Sequence, residues 1–224
     1  MPETLADKIM KRADAAVQIQ YLQETYEAEK KRRLEFREWI TPDVKAEFIN
    51  GETIIHSPAK KRHWSASGLL SRLLSTYTDI RKLGKVGVEK VMIALTRNDY
   101  EPDLVYFSRE KAEQFTEDQV LFPAPDLAIE ILSKSTAKRD KTIKKEDYAY
   151  HGVREYWIID TDKQKVYQYI LPEDSIEYFP AKVVQYGEYL KSVAIEGFEI
   201  PTYAIFDEAV NIKVLRELII GSDS

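Results

Sequence analysis

The sequence predicts an α/β (α+β) fold in which a mixed central β-sheet is flanked by helices. Short apolar runs of strand length alternate with helical segments, and hairpin patterns stand at both ends of that region. Residues 3–39 contain neither Gly nor Pro and consist mainly of helix-forming residues. We therefore expect a helical N-terminal arm over 1–41 and a single domain over 42–224.

The predicted elements follow from the spacing of apolar residues and turn signals. The arm could be one long helix or two in series, and either a solvated helix or a partner-binding one. Strands over 45–50 and 52–56 are joined at Asn50-Gly51, which is a hairpin turn signal. The remaining predicted elements are a helix over 64–82 ended by Gly84 and Gly87, strands over 88–95 and 104–107, a short helix over 109–115, a strand over 127–132, a helix over 138–151, strands over 155–160 and 165–170, short strands within 178–189, and a last helix over 203–218.

The overall composition limits the chemistry and the partners. The net charge of −5 lacks the basic balance that would argue directly for nucleic acid, so an anionic partner must meet a local patch. The chain has no cysteine, which excludes thiolate zinc sites and cysteine nucleophiles and fits a cytoplasmic location. We expect no signal peptide and no membrane span, because no apolar stretch is long enough for either.

Glu130 is the first candidate for a chemical role. It is the single charge in the apolar strand pattern over 127–132. A carboxylate in a strand that is buried on both faces is costly unless a cation or hydrogen-bond donors hold it. The alternative is an edge strand on which Glu130 faces water.

Asp103 is the second candidate, since it follows Pro102 and begins the apolar run over 104–107. It can converge with Glu130 if their two strands are neighbours. Two carboxylates and a main-chain carbonyl suit a hard divalent ion such as Mg²⁺. The alternative is an ordinary turn aspartate.

A basic segment follows the Glu130 strand, with six basic residues and one acid between positions 134 and 145. On a helix, Asp140, Lys144 and Tyr148 share one face, because they are spaced by four residues. The simpler interpretation is a helical Asp140–Lys144 salt bridge with Tyr148 in the core.

These residues resemble a known family, the Uma-two family of restriction-endonuclease-like proteins in the PD-(D/E)XK nuclease superfamily. The resemblance covers roughly residues 43–207. It is carried by Pro102-Asp103, Glu130-Ile131-Leu132-Ser133, Ser135-Thr136, Asp140, Lys144, Tyr148, Gly152 and the stretch 155–160, with supporting similarity at 47–52, Ser57-Pro58, His63, 197–201 and Ile205-Phe206.

The resemblance implies a restriction-endonuclease-like core and a metal-dependent endonuclease that hydrolyses DNA. It implies Mg²⁺, or Mn²⁺, bound by Asp103, Glu130 and the carbonyl of Ile131. The superfamily expects a lysine where this chain has Leu132, and Lys144 is the position that matches the displaced lysine of the Uma-type variant. Lys144 would then orient a water or stabilise transition-state charge.

Further residues are assigned to the same site with open alternatives. Glu52 is a further ligand or a base, or else a solvated hairpin residue. His63 contacts phosphate or assists proton transfer, or else caps a helix. Candidate DNA-binding residues are His63, Lys138, Arg139 and Lys141. We expect a homodimer that forms through the N-terminal helices; the alternative function is a catalytically inactive nucleic-acid-binding or assembly protein that retains the nuclease fold.

Overall fold

The computed structural model of the chain describes residues 3–220, so positions 1–2 and 221–224 of the predicted arm and domain lie outside the described residues. The helices are α1 (Leu5–Met10), α2 (Ala15–Trp39), α3 (Lys61–Arg81), α4 (Arg109–Ala112), α5 (Ala137–Arg139), α6 (Lys145–Tyr150) and α7 (Glu208–Ile220), with a π-helical segment at Asp140–Lys144 and a 3-10 helix at Thr202–Ile205. The strands are β1 (Ala46–Ile49), β2 (Glu52–Ile55), β3 (Gly84–Val88), β4 (Met92–Ala94), β5 (Asp99–Tyr100), β6 (Leu104–Ser108), β7 (Leu121–Phe122), β8 (Leu127–Ile131), β9 (Glu155–Asp160), β10 (Lys165–Ile170), β11 (Lys182–Val184), β12 (Tyr189–Lys191) and β13 (Glu199–Pro201). No helix within residues 3–220 is long and apolar enough to cross a membrane.

The N-terminal arm consists of two helices in series. A capping box starts α1, in which the Thr4 hydroxyl accepts from the Asp7 amide and the Asp7 carboxylate accepts from the Thr4 amide. The first half of α2 is exposed, whereas its second half packs on the body of the protein through Phe36. The boundary at residue 41 between arm and domain remains a prediction.

A five-stranded sheet lies next to the second half of α2, with the strand order β2-β1-β5-β4-β7. Its hairpin turns at Asn50 and Gly51, whose φ angles are 50° and 86°. Two consecutive positive φ angles are typical of the type I′ turn that the Asn-Gly pair predicts. All four residues of β1 are buried, while most of β2 is exposed.

The main sheet has six strands in the order β11-β10-β9-β8-β6-β3. Strands β8 and β9 are parallel and lie in its middle, and the other pairs are antiparallel. On β8, Leu127, Ile129 and Ile131 pack with α3 and α7 on one face, whereas Ala128 packs with Tyr148 on the other. Because strand side chains alternate between faces, Glu130 is directed to the Tyr148 side. The predicted mixed sheet between helices is thus confirmed.

The helix that Gly84 and Gly87 were predicted to end finishes at Arg81, and both glycines lie within the edge strand β3. A Cβ atom on Gly84 would lie 2.0 Å from the carbonyl oxygen of Phe107, so only glycine permits this approach to β6. The predicted strand over 88–95 is correspondingly divided between β3 and β4.

The helix predicted over 138–151 contains an irregularity that its sequence did not reveal. Residues Asp140–Lys144 are π-helical and connect α5 to α6. One wider turn changes the direction of every side chain that follows it. Asp140, Lys144 and Tyr148 are nevertheless all buried.

Candidate active site

Charged side chains from both sheets meet where the two sheets adjoin. Strand β1 of the smaller sheet supplies Glu47, and Lys45 is the residue just before this strand. The main sheet supplies Glu130 from β8 and Asp103 from the residue before β6. The helices complete the cluster with Lys144 from the π-helical segment and His63 from the first turn of α3.

Asp103 and Glu130 are on neighbouring strands. Leu104 of β6 pairs with Ile129 of β8 in antiparallel register. Asp103, which precedes Leu104, therefore lies beside Glu130, which follows Ile129. The Ile131 amide donates a hydrogen bond of 2.8 Å to Asp103 Oδ2. The strand adjacency that the sequence could not show is therefore present.

Lys144 lies at the centre of the cluster. Its Nζ is 2.7 Å from Glu130 Oε1 and 2.7 Å from Glu47 Oε1, and 3.7 Å from Asp140 Oδ1. Only 1% of the side chain is exposed. Burial disfavours the ammonium, but the three carboxylates outweigh this and raise the pKa of Lys144 well above its usual value.

Glu47 was not assigned as a site residue from the sequence. It is fully buried, and its Oε1 also accepts from the Glu101 amide at 2.9 Å. Its Oε2 is 3.1 Å from His56 Nε2, without the alignment of a hydrogen bond. Burial alone would raise the pKa of Glu47, but Lys144 and His56 outweigh it and lower the pKa to about 2.

The signal for Glu47 was present in the sequence. It is the only charge in a short apolar strand, which is the same pattern that identifies Glu130. The hairpin partner Glu52, which was predicted instead, is exposed on β2. Among residues 3–220, no hydrogen bond or ion pair joins Glu52 to the cluster.

Asp103 is held by two basic side chains. Its Oδ1 is 2.8 Å from Lys45 Nζ, and its Oδ2 is 3.2 Å from His63 Nε2. Burial opposes the charged form, but His63 and Lys45 lower the pKa of Asp103 well below its usual value. The Lys45 side chain remains 22% exposed, so it is the lysine of the cluster that reaches solvent.

Glu130 has a different electrostatic environment. Burial raises the pKa of Glu130 well above its usual value, and Lys144 offsets this only in part because Asp140, Glu47 and Asp103 add negative charge. Neither carboxylate oxygen of Asp140 has a hydrogen-bond partner in the described part of the chain. Burial also raises the pKa of Asp140.

The three basic residues predicted to contact DNA lie outside this cluster. Lys138 and Lys141 are exposed, and Arg139 is half-buried. The Lys141 ammonium lies 4.8 Å from the centre of the Tyr167 ring.

The cluster fits a divalent cation in charge and donor type. Four buried carboxylates face two lysine ammonium groups. Carboxylate oxygens suit Mg²⁺, which takes few protein ligands. Within residues 3–220, however, no three acidic or histidine side chains are already arranged around one metal position. Asp103 and Glu130 are instead occupied by Lys45, His63 and Lys144.

Comparison with known proteins identifies the family. The model of the Uma2 family, described as "Putative restriction endonuclease", matches residues 33–203. The crystal structure of "a putative nuclease belonging to DUF820" from Anabaena variabilis has a TM-score of 0.66 with this chain at 18% identity, and the match covers 77% of this chain and 95% of that one. At this identity the likeness shows a shared fold. No curated protein matches the sequence. Because the family match spans most of the chain, the protein belongs to the Uma2 family of restriction-endonuclease-like proteins, as its motifs predicted.

Proposed function

We propose that this protein is a metal-dependent endonuclease that hydrolyses phosphodiester bonds in DNA. The observation that supports it most strongly is the convergence of Asp103 and Glu130, on neighbouring strands, in a buried cluster with surplus negative charge. Family membership agrees with the proposal.

In this proposal Asp103, Glu130 and the carbonyl of Ile131 would hold Mg²⁺, with Mn²⁺ as an alternative. The bound ion supplies a Lewis acid for the phosphodiester and lowers the pKa of a coordinated water. Lys45 and His63 contact the Asp103 carboxylate in the structure. When the metal binds, they would have to share this carboxylate with the ion or release it. We therefore infer that these two side chains keep the Asp103 carboxylate ionised and positioned before the metal binds.

The two lysines of the cluster have different proposed roles. Lys144 is enclosed by carboxylates and scarcely exposed, so it would act by fixing Glu130 and Glu47 rather than by touching the substrate. Lys45 reaches the surface beside Asp103 and would meet a phosphate oxygen there. The exposed Lys138 and Lys141 would add contacts to the DNA backbone.

Cleavage assays test the proposal directly. Supercoiled and linear DNA are incubated with the wild type, Asp103→Asn, Glu130→Gln and Asp79→Asn, in Mg²⁺, Mn²⁺ or EDTA. Asp79 is an exposed residue near the end of α3 and provides a matched control. We expect metal-dependent cleavage that each site variant lowers by about a hundredfold or more, as for the loss of a group that stabilises the transition state.

Two outcomes would contradict the endonuclease proposal. One is no cleavage by the wild type with any metal, and the other is equal cleavage by Asp103→Asn. DNA binding that persists without cleavage would support the alternative, a non-catalytic nucleic-acid-binding protein.

We also propose that the arm pairs with a second copy of the chain. Residues 15, 19, 22, 26, 29, 33, 36 and 40 repeat at the alternating spacings of four and three that a coiled-coil seam has, and all except the charged Glu29 and Arg33 are apolar or aromatic. The second half of this stripe packs on the body of the protein. In the first half, Ile19, Leu22 and Tyr26 are 36%, 51% and 47% exposed. The stripe thus extends past the part of α2 that the body of the protein covers, and its first half is left exposed.

Light scattering with a matched pair of variants tests the pairing. Leu22→Glu places a charge in the seam, and Gln23→Glu places the same charge on the adjacent exposed position. We expect a dimer for the wild type and Gln23→Glu, and a monomer for Leu22→Glu. A monomeric wild type at high concentration would rule out the proposed pairing.

A further inference from the structure

We propose that a basic groove beside the candidate site binds the nucleotide that flanks the scissile phosphate. This inference rests on the proposed endonuclease function and extends it to a second subsite. The groove lies between the first turn of α3 and the turn that joins β9 to β10.

The groove is a cavity of about 630 Å³. One wall is formed by Lys60, Lys61, Arg62 and Ser65, and the opposite wall by Thr161 and Gln164. The rest of the lining is apolar and includes the half-buried Phe206. The cavity is thus lined by cationic, polar and aromatic residues together.

The charge of the walls favours an anionic ligand. Arg62 forms an ion pair with Asp162. Lys60 and Lys61 are both exposed, and neither forms an ion pair with any residue between positions 3 and 220. These two unpaired ammonium groups on one wall form a local positive patch in a chain whose net charge is −5.

The other lining residues suit the sugar and the base of a nucleotide. The side chains of Thr161 and Gln164 have no hydrogen-bond partner within residues 3–220 and can donate to sugar or base oxygens. An aromatic ring such as Phe206 can stack on any base, which gives affinity without sequence preference. Phosphate, hydroxyl and base contacts therefore come together in one cavity.

Both walls of the groove connect to the candidate metal ligands. His63 belongs to the same helical turn as Lys60 and Lys61, and its Nε2 is 3.2 Å from Asp103 Oδ2. Thr161 directly follows β9, whose Ile159 pairs with Ile131 next to Glu130. A strand with one phosphate at Asp103 and Glu130 would therefore reach the groove with an adjacent nucleotide.

A binding assay with matched charge removal tests the groove. The double variant Lys60→Gln/Lys61→Gln is compared with Lys182→Gln/Lys191→Gln, which removes two lysines of β11 and β12 that also form no ion pair within residues 3–220. All four lysines are exposed, and circular dichroism checks that both variants fold. Fluorescence anisotropy measures binding of labelled single- and double-stranded 20-mers in Ca²⁺ across a salt series.

We expect the groove variant to bind more weakly and with a smaller salt dependence. Each lost phosphate contact reduces the magnitude of the negative slope of log K against log salt by about 0.7 for single strands and 0.9 for duplex, so two lost contacts reduce it by roughly twice that. Phe206→Leu should weaken single-strand binding by about fivefold or more, as expected for one lost stacking contact. The control pair should match the wild type.

The possible results separate this inference from the proposed function. If the groove variant and its control bind alike, or if the wild type binds no DNA, the groove assignment is overturned. If the groove variant alone loses affinity while the wild type does not cleave, the groove stands as a nucleotide-binding site of a non-catalytic protein, and the endonuclease proposal fails. If inorganic phosphate or a mononucleotide displaces DNA as well as an unlabelled 20-mer does, the site binds a free nucleotide and the assignment to a flanking strand is overturned.

Discussion

At the scale of single residues, two adjacent carboxylates have opposite electrostatic environments. Asp103 has two basic partners of its own, His63 and Lys45, and they lower its pKa, so its ionised form is favoured. Glu130 shares Lys144 with Glu47 and Asp140, so its ionised form is disfavoured. Replacing each carboxylate by its neutral amide should therefore change stability in opposite directions.

We predict that Asp103→Asn destabilises the metal-free protein and that Glu130→Gln stabilises it near pH 8, each by about 1–3 kcal/mol. The lowered pKa of Asp103 contributes stability above its usual value of 3.8, and that stability is lost as pH falls through the folded-state pKa. The raised pKa of Glu130 contributes stability below its usual value of 4.5, and that stability is lost as pH rises through the folded-state pKa.

Urea denaturation in EDTA at pH 5 and pH 8 measures both effects. The advantage of Glu130→Gln should shrink toward the lower pH, because the wild-type carboxyl is then protonated. Addition of Mg²⁺ should stabilise the wild type and neither variant. The same sign for both variants at pH 8 would contradict the description of the cluster.

Lys144 gives a second prediction at this scale. Lys144→Met should lower the free energy of unfolding by about 3–5 kcal/mol, because it leaves Glu47, Glu130 and Asp140 without their shared cation. The control Lys141→Met, in the same π-helical segment, loses only an exposed contact with an aromatic ring and should cost about 1 kcal/mol or less. Equal losses in the two variants would mean that Lys144 is not the central counter-ion.

At the scale of elements, the π-helical segment determines where Lys144 is directed. Inserting one alanine after the exposed Thr142 should rotate the later residues by about 100° relative to the earlier ones. We expect helix content to persist, while cleavage and the stabilising effect of Mg²⁺ are lost. Thr142→Ala is the control and should retain both; retention by the insertion variant would show that the segment adapts.

Sequence patterns predicted most of the elements, but not which of the two hairpin strands is buried. Glu130 was identified because β8 is apolar on both faces. Glu47 shows the same pattern, but the sequence does not reveal that β1 is central and β2 is an edge strand, so Glu52 was predicted instead. The π-helical turn likewise depends on tertiary packing around Asp140 and Lys144, which local propensity does not encode.

At the scale of the whole molecule, the arm stabilises the sheet that contributes Glu47. Arg33 and Arg37 both bind the carboxylate of Asp99 on β5, and this carboxylate is fully buried. Arg97 binds Glu29 of α2. These ion pairs join positions more than 60 residues apart, so the helical composition of the arm predicted its structure but not where it docks.

We predict that Asp99→Asn lowers the free energy of unfolding by about 3–5 kcal/mol, because it leaves two partly buried guanidinium groups without their partner. Asp43→Asn, an exposed change just after α2, is the control and should cost about 0.5 kcal/mol or less. Differential scanning calorimetry measures both. A small effect of Asp99→Asn would mean that the arm docks through its apolar contacts alone.

The junction of two sheets has a consequence during synthesis. The cluster draws residues from Lys45 to Lys144, and the strand that holds β8 in place, β9, ends at Asp160. No amino-terminal fragment shorter than this contains all of the parts, and contacts between distant positions form late in folding. If the proposed endonuclease function is right, a ribosome-bound chain would therefore lack a complete site until translation has passed Asp160.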